Sequence, residues 1–142
     1  SYALTGSLSP SGVSLSGTGV TTFLAGSAYP AACPLGAGAS FTTTSGAGIN
    51  LSAPTTGAYA GLTVFADRNN SAPATIVKSG MTISGTWYSP AMPFQQTHTG
   101  EVLTFGQLIA ASASVDVNVT FNANWSAASV YHTTPGNPGL TS

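Results

Sequence analysis

Between residues 48 and 121, apolar side chains recur at every second position, and this period constrains what the chain can fold into. Ile49 and Leu51 alternate with Asn50 and Ser52. Met81 and Ile83 alternate with Thr82 and Ser84, and Val115, Val117, Val119 and Phe121 with Asp116, Asn118 and Thr120. In an extended strand successive side chains point to opposite faces, so each run predicts a strand with one face buried and one face wet. No helical period runs over a comparable length. The expectation is an all-β domain over residues 1–121, most regular over 48–121.

The runs are punctuated by glycine in a repeated way. A short alternating run leads to Gly85 and then Thr86-Trp87-Tyr88. Val102-Leu103-Thr104-Phe105 leads to Gly106 and then Gln107-Leu108-Ile109-Ala110. Gly61 stands in the same place before Leu62-Thr63-Val64-Phe65, and the three glycines are 24 and 21 residues apart. A loose period of this size with strand–glycine–strand content predicts a parallel β-solenoid, each coil stacking its short strands on those of the next. No Asn-Gly or Asp-Gly hairpin signal occurs, as expected of parallel stacking. The alternative is an antiparallel β-sandwich or jelly roll, which also has many short strands separated by turns. Upstream, residues 12–17, 19–24 and 39–44 read as further strands, with a loop over 25–38.

Charge narrows the function classes. Charged residues make up 4% of the chain, against about 25% in an average soluble protein. Two cations cannot build the basic footprint that a phosphate backbone requires, so nucleic acid is not an expected partner. No apolar run is long enough for a membrane span. No basic and apolar leader opens the chain, and a start at Ser1 rather than methionine suggests a processed or excised product. A neutral, hydroxyl-rich surface lacks the repulsion that keeps proteins apart, which suits a secreted or polymeric protein. The tail, 122–142, is rich in Pro and Gly and is expected either to be disordered or to rest on its own body or a neighbouring subunit. The single cysteine, Cys33, has no partner for an intramolecular disulfide. It reads as a small buried thiol, with an intermolecular bridge as the alternative.

Few residues are candidates for chemistry. Asp67-Arg68 ends the most apolar strand; a guanidinium there suits the capping of loop carbonyls or pairing with Asp67 or Asp116. Glu101 and Asp116 lie in runs of different phase and read as solvated carboxylates rather than a glycosidase pair. His98 and His132 have no cysteine or acid at metal-ligand spacing, and no nucleophile elbow accompanies the many serines. No catalytic, metal or cofactor site is expected, and the chain does not read as an enzyme. Tyr59, Trp87, Tyr88, Trp125 and Tyr131, with Tyr29, are the expected subunit-interface or glycan contacts, because aromatic rings serve both. The Thr-rich stretches do not recur at one strict offset, so they read as ordinary strand residues rather than an ice-binding row. Four Asn-x-Ser/Thr sequons, at Asn50, Asn69, Asn118 and Asn124, are unremarkable in so Asn- and Ser-rich a chain.

One stretch is similar to a known family. Asn50-Leu51-Ser52-Ala53-Pro54-Thr55-Thr56-Gly57-Ala58-Tyr59-Ala60-Gly61 runs on to Phe65-Ala66-Asp67-Arg68. Gly85-Thr86-Trp87-Tyr88-Ser89-Pro90 follows, and then Gly106-Gln107-Leu108-Ile109. In order and spacing these blocks resemble the C-terminal β-solenoid region of TadG-like proteins, which are associated with Tad (Flp) pilus assembly and the bacterial envelope. The resemblance implies a bacterial cell-surface or periplasmic setting and a non-enzymatic role, with Asp67, Arg68, Gly61, Gly85 and Gly106 as structural motif residues. The expected function is an extracellular structural subunit that assembles with copies of itself. The alternative is a TadG-like adhesion or glycan-binding module with pilus or cell-wall partners.

Overall fold

The computed structural model describes residues 2–4, 6–31, 35–44, 46, 48–77, 80–128 and 130–131. Among them there is no helix. Ten strands form the fold: β1 (Tyr2–Leu4), β2 (Leu15–Gly17), β3 (Thr22–Leu24), β4 (Phe41–Thr42), β5 (Ile49–Ser52), β6 (Leu62–Ala66), β7 (Ala74–Ile76), β8 (Met81–Gln96), β9 (Val102–Ser114) and β10 (Thr120–Ala123). They belong to one sheet, and every strand pairing among the described residues is parallel. An antiparallel sandwich therefore does not describe this sheet.

The registers form three rows. In the first, Leu15, Ile49, Met81, Leu103 and Phe121 stand side by side. In the second, Ala3, Phe23, Phe65, Tyr88 and Ile109 do so. In the third, Phe41, Ala74, Phe94 and Ala113 are in line, with Leu8 bridged to Phe41. The long strands β8 and β9 pass through all three rows. They bend where their register shifts, between Ile83 and Thr86 and between Ser89 and Pro93. Pro90 and Pro93 belong to the second bend, where a missing N–H disturbs a ladder least.

The alternation seen in the sequence becomes an inside and an outside. Ile49, Leu51, Met81, Ile83, Leu103 and Phe105 point inward and are buried, while Asn50, Thr82 and Ser84 are exposed. The centre is aromatic. Trp87 is fully buried, with its ring edge-on to Phe41 (5.0 Å between centroids), Phe94 (5.8 Å) and Phe105 (6.3 Å). The Trp87 indole N–H donates to Ser89 Oγ at 2.8 Å, and the Ser89 hydroxyl donates to the Ile109 carbonyl. The one polar atom that so large a buried ring brings with it is thereby satisfied.

A second buried polar residue holds the corner between the second and third rows. Asn70 Oδ1 accepts the N–H groups of Gly38 and Ala72, each at 3.0 Å, and Asn70 Nδ2 donates to the Ala39 carbonyl at 2.9 Å. Two longer contacts reach the carbonyls of Leu24 and Ala25. One side chain thus satisfies backbone groups of two successive passes of the chain. Asn70→Ala strands several of these groups in the interior, each costing about 1–3 kcal/mol. The expected result is a loss of roughly 3 kcal/mol, read as a lowered urea midpoint at unchanged m-value.

Three expectations are corrected. The alternating run 115–121 is not one half-buried strand: Asn118 takes a left-handed conformation (φ 59°), and the strand β10 begins only at Thr120. Val115 and Val117 are exposed, because no layer among the described residues covers the loop holding them. The β domain does not stop at residue 121, since β10 runs to Ala123 and pairs with β9 through it. The pair of runs separated by Gly85 is one continuous strand, β8, with the glycine at its first bend.

Candidate functional site

Among the described residues, a concave surface with varied side-chain chemistry lies on the outer side of the second row. Positions that point outward there are stacked by the parallel register. Phe23, Phe65 and Tyr88 form a ring ladder, with centroids 5.3 and 5.7 Å apart and planes within 21° and 16°. Tyr29 closes one end edge-on against Phe23 at 5.2 Å. Ile109 follows Tyr88 on the other side.

Three local structures raise walls beside this ladder. The turn before β6 carries Tyr59, held by hydrogen bonds from Ala60 N–H to the Gly57 carbonyl and from Leu62 N–H to the Tyr59 carbonyl. The turn after β6 carries Arg68. It is set by Asp67, whose carboxylate accepts the Asn69 N–H at 2.9 Å and whose carbonyl accepts the Asn70 N–H. The chain beyond β10 supplies the third wall. Asn124 N–H bonds the Phe105 carbonyl, Val130 is buried, and Tyr131 N–H donates to Thr86 Oγ1 at 2.9 Å. Together they enclose a groove of about 460 Å³ whose floor and sides include Tyr59, Phe65, Arg68, Tyr88, Gln107 and Tyr131.

The polar groups of the groove are arranged by the fold. The Thr86 hydroxyl receives the Tyr131 N–H and donates to Gln107 Oε1 at 3.2 Å. That bond orients the Gln107 amide and leaves its NH₂ free to donate. Arg68 is exposed and pairs with no carboxylate among the described residues. The three acids are engaged elsewhere. Asp67 holds its own turn, Glu101 lies 3.4 Å from His98, and the Asp116 carboxylate accepts the Val117 N–H. Among the described residues no carboxylate lines the groove.

The predicted site residues divide clearly. Tyr59, Tyr88, Tyr131 and Arg68 converge on this groove. Trp87 does not. It is a core residue, because β8 alternates and the ring beside Tyr88 must face inward; its assignment as an interface or glycan contact is corrected. Trp125 is exposed and lies outside the groove. Asp67 and Arg68 do not pair with one another or with Asp116. Glu101 and His98 come together, but Asp116 is tied to Gln96 instead, whose Oε1 accepts the Asp116 N–H. Cys33, Lys78 and His132 lie outside the described residues.

Gly61, Gly85 and Gly106 meet at the first bend. A Cβ on Gly106 would lie 2.6 Å from the Gly85 carbonyl oxygen, and one on Gly85 would lie 3.0 Å from the Gly61 carbonyl oxygen. Phe65 and Gln107 were not singled out from the sequence, since nothing local marks two residues that far apart as neighbours. The register of the first row places Ser16, Asn50, Thr82, Thr104 and Asn122 in a single outward column.

Among the described residues no group of three or more His, Cys, Asp or Glu side chains is placed to hold a metal ion, and no helix is long and apolar enough to cross a membrane. Comparison with known proteins gives no match: no family model, no curated protein and no solved structure is similar to this chain.

Proposed function

We propose that the chain is a parallel β-solenoid that works outside the cytoplasm as a structural subunit, joining copies of itself end to end. The solenoid reading is supported by the three rows and by two strands, β8 and β9, that each traverse all of them. The observation that carries the assembly reading is the open edge at the end of the stack. Residues 107–114 of β9 have no strand on their far side among the described residues, and the segment contains no charge. At the other end β1 and β2 each pair on one side only. Unblocked edges of this kind template further pairing, and charges, above all lysine, are what usually prevents it. A parallel edge at each end makes the contact heterologous, which gives an open polymer rather than a closed dimer.

Electron microscopy of the native protein at increasing concentration tests this. The expected result is filaments with an axial repeat of one domain, and Ala113→Lys should abolish them while leaving the monomer folded, since Ala113 is exposed. Discrete monomers at every concentration would overturn the assembly reading.

A second reading is an envelope-associated adhesion module with a glycan, pilus or cell-wall partner. The aromatic groove favours it, and the resemblance of residues 49–110 to TadG-like proteins supports the same setting.

A further inference from the structure

We propose that the groove beside the second row takes a carboxylate-bearing sugar, a uronic acid residue of a surface polysaccharide. The inference rests on the adhesion reading and is independent of end-to-end assembly. The ligand class follows from what the groove offers. Its volume, about 460 Å³, matches the usual range for a small-ligand site, roughly 300–1,000 Å³. Its walls include Tyr59 and Tyr131, whose rings offer apolar surface to the C–H face of a pyranose, and Tyr88, which has one face covered by Phe65 and offers its hydroxyl instead. None of these three hydroxyls makes a hydrogen bond to a described residue. Gln107 adds a directed amide donor, fixed from behind by Thr86.

Charge selects among sugars. The chain has two cations in all, and one of them, Arg68, stands at this groove with no carboxylate at ion-pair distance among the described residues. An exposed arginine on a nearly neutral surface is a strong local determinant. Its planar fork of donors matches a carboxylate in two parallel bonds, a geometry a neutral hydroxyl cannot return. The turn that carries it is rigid, because Asp67 locks one side through Asn69 and the buried Asn70 anchors the other. The guanidinium is therefore presented by a fixed backbone, and only the side chain has to order on binding.

The test is calorimetric titration of the full chain at low salt with tetragalacturonate and, separately, with its fully methyl-esterified form. The acid is expected to bind, and the ester to bind at least about tenfold more weakly, the size of one lost charge-assisted contact. Arg68→Gln should reduce acid binding by the same factor and leave ester binding unchanged, with Arg68→Lys between the two. Arg68 is exposed and makes no ion pair with a described residue, so these variants are expected to keep the wild-type melting temperature. Equal binding of acid and ester, or no effect of Arg68→Gln, would overturn the proposal. Ester binding that Tyr59→Ala abolishes would replace it with a neutral-glycan site and keep the adhesion reading. Absence of binding to either ligand at millimolar concentration would overturn the uronate site; if a glycan array is also blank, the adhesion reading falls with it, whereas filament formation is read separately by microscopy.

Discussion

Trp87→Ala is expected to cost about 3–5 kcal/mol, the range for deleting a large buried aromatic ring. Three features put it at the upper part of that range. The ring is fully buried and meets Phe41, Phe94 and Phe105, one from each of three strands. Those partners also touch one another, Phe94 lying 5.6 Å from Phe105, so the cluster cannot collapse into the space without breaking a second aromatic contact. The Ser89 hydroxyl, moreover, loses the indole N–H that it accepts. The parallel backbone around it is bonded on both sides by β6 and β9 and resists inward movement. Urea denaturation followed by far-UV circular dichroism measures the loss. Trp87→Phe separates the two contributions: it keeps much of the volume and drops the N–H, and should cost about half as much. A loss below about 1 kcal/mol for the alanine variant would mean that the ring is not the centre of the core.

Gly85→Ala is expected to be nearly as damaging, for a different reason. Gly85 has φ 137°, a region that side chains rarely enter, and a Cβ there would sit 2.4 Å from Thr63 Oγ1, 2.7 Å from Ala53 Cβ and 3.0 Å from the Gly61 carbonyl oxygen. None of these can step aside freely. Thr63 is buried and donates to the Ser84 carbonyl, Ala53 N–H is bonded to that same carbonyl, and the Gly61 carbonyl receives the Thr86 N–H. Backbone strain alone is worth about 1–3 kcal/mol, and the steric overlap adds to it, so a total near 3 kcal/mol or more is expected. Gly80→Ala is the control. Gly80 lies just before β8, takes no positive φ and has nothing within 4 Å of its Cβ position. It should be neutral or stabilising by up to about 1 kcal/mol, through the unfolded chain. Equal melting temperatures for the two variants would show that the first bend is not as tight as described.

Much of the fold was legible because period-two alternation is a local signal. The runs at residues 49–52, 62–66, 81–84 and 102–105 all became strands, since each needs only its own side chains to declare an inside and an outside. Apart from β4, anticipated over 39–44, the third row was not legible. Its strand β7 is three residues long and follows Pro73, and its part of β8 follows Pro90 and Pro93. Prolines read as loop in a sequence, and only the bend that receives them shows why a strand continues beyond. The run at 115–121 failed in the opposite direction. Its pattern was right for a strand, but no layer among the described residues lies over Val115 and Val117, and the backbone turns at Asn118.

The groove shows the same division. Tyr59, Tyr88 and Tyr131, expected from their chemistry as contact residues, line one groove. That Trp87 does not join them depends on the register: Tyr88 must face outward to stack on Phe65, and its neighbour then has no choice but the core. Arg68 was marked by its rarity, yet that its turn is held by Asp67 and Asn70, with Arg68 in no ion pair among the described residues, is visible only in the fold.

The sequence by itself determined that the chain is built of strands and that glycines punctuate them near residues 61, 85 and 106, because side-chain period and the absence of a Cβ act within a few residues. It also determined that so neutral a surface has little charge with which to recognise anything. Which residues become neighbours across passes of 18 to 42 residues was decided by the parallel register. The passes differ in length, so no constant offset in the sequence marks the column of Ser16, Asn50, Thr82, Thr104 and Asn122, or the ladder of Phe23, Phe65 and Tyr88. Hydrogen bonding between backbones aligns strands whatever the loops between them measure, and only the folded sheet can express that.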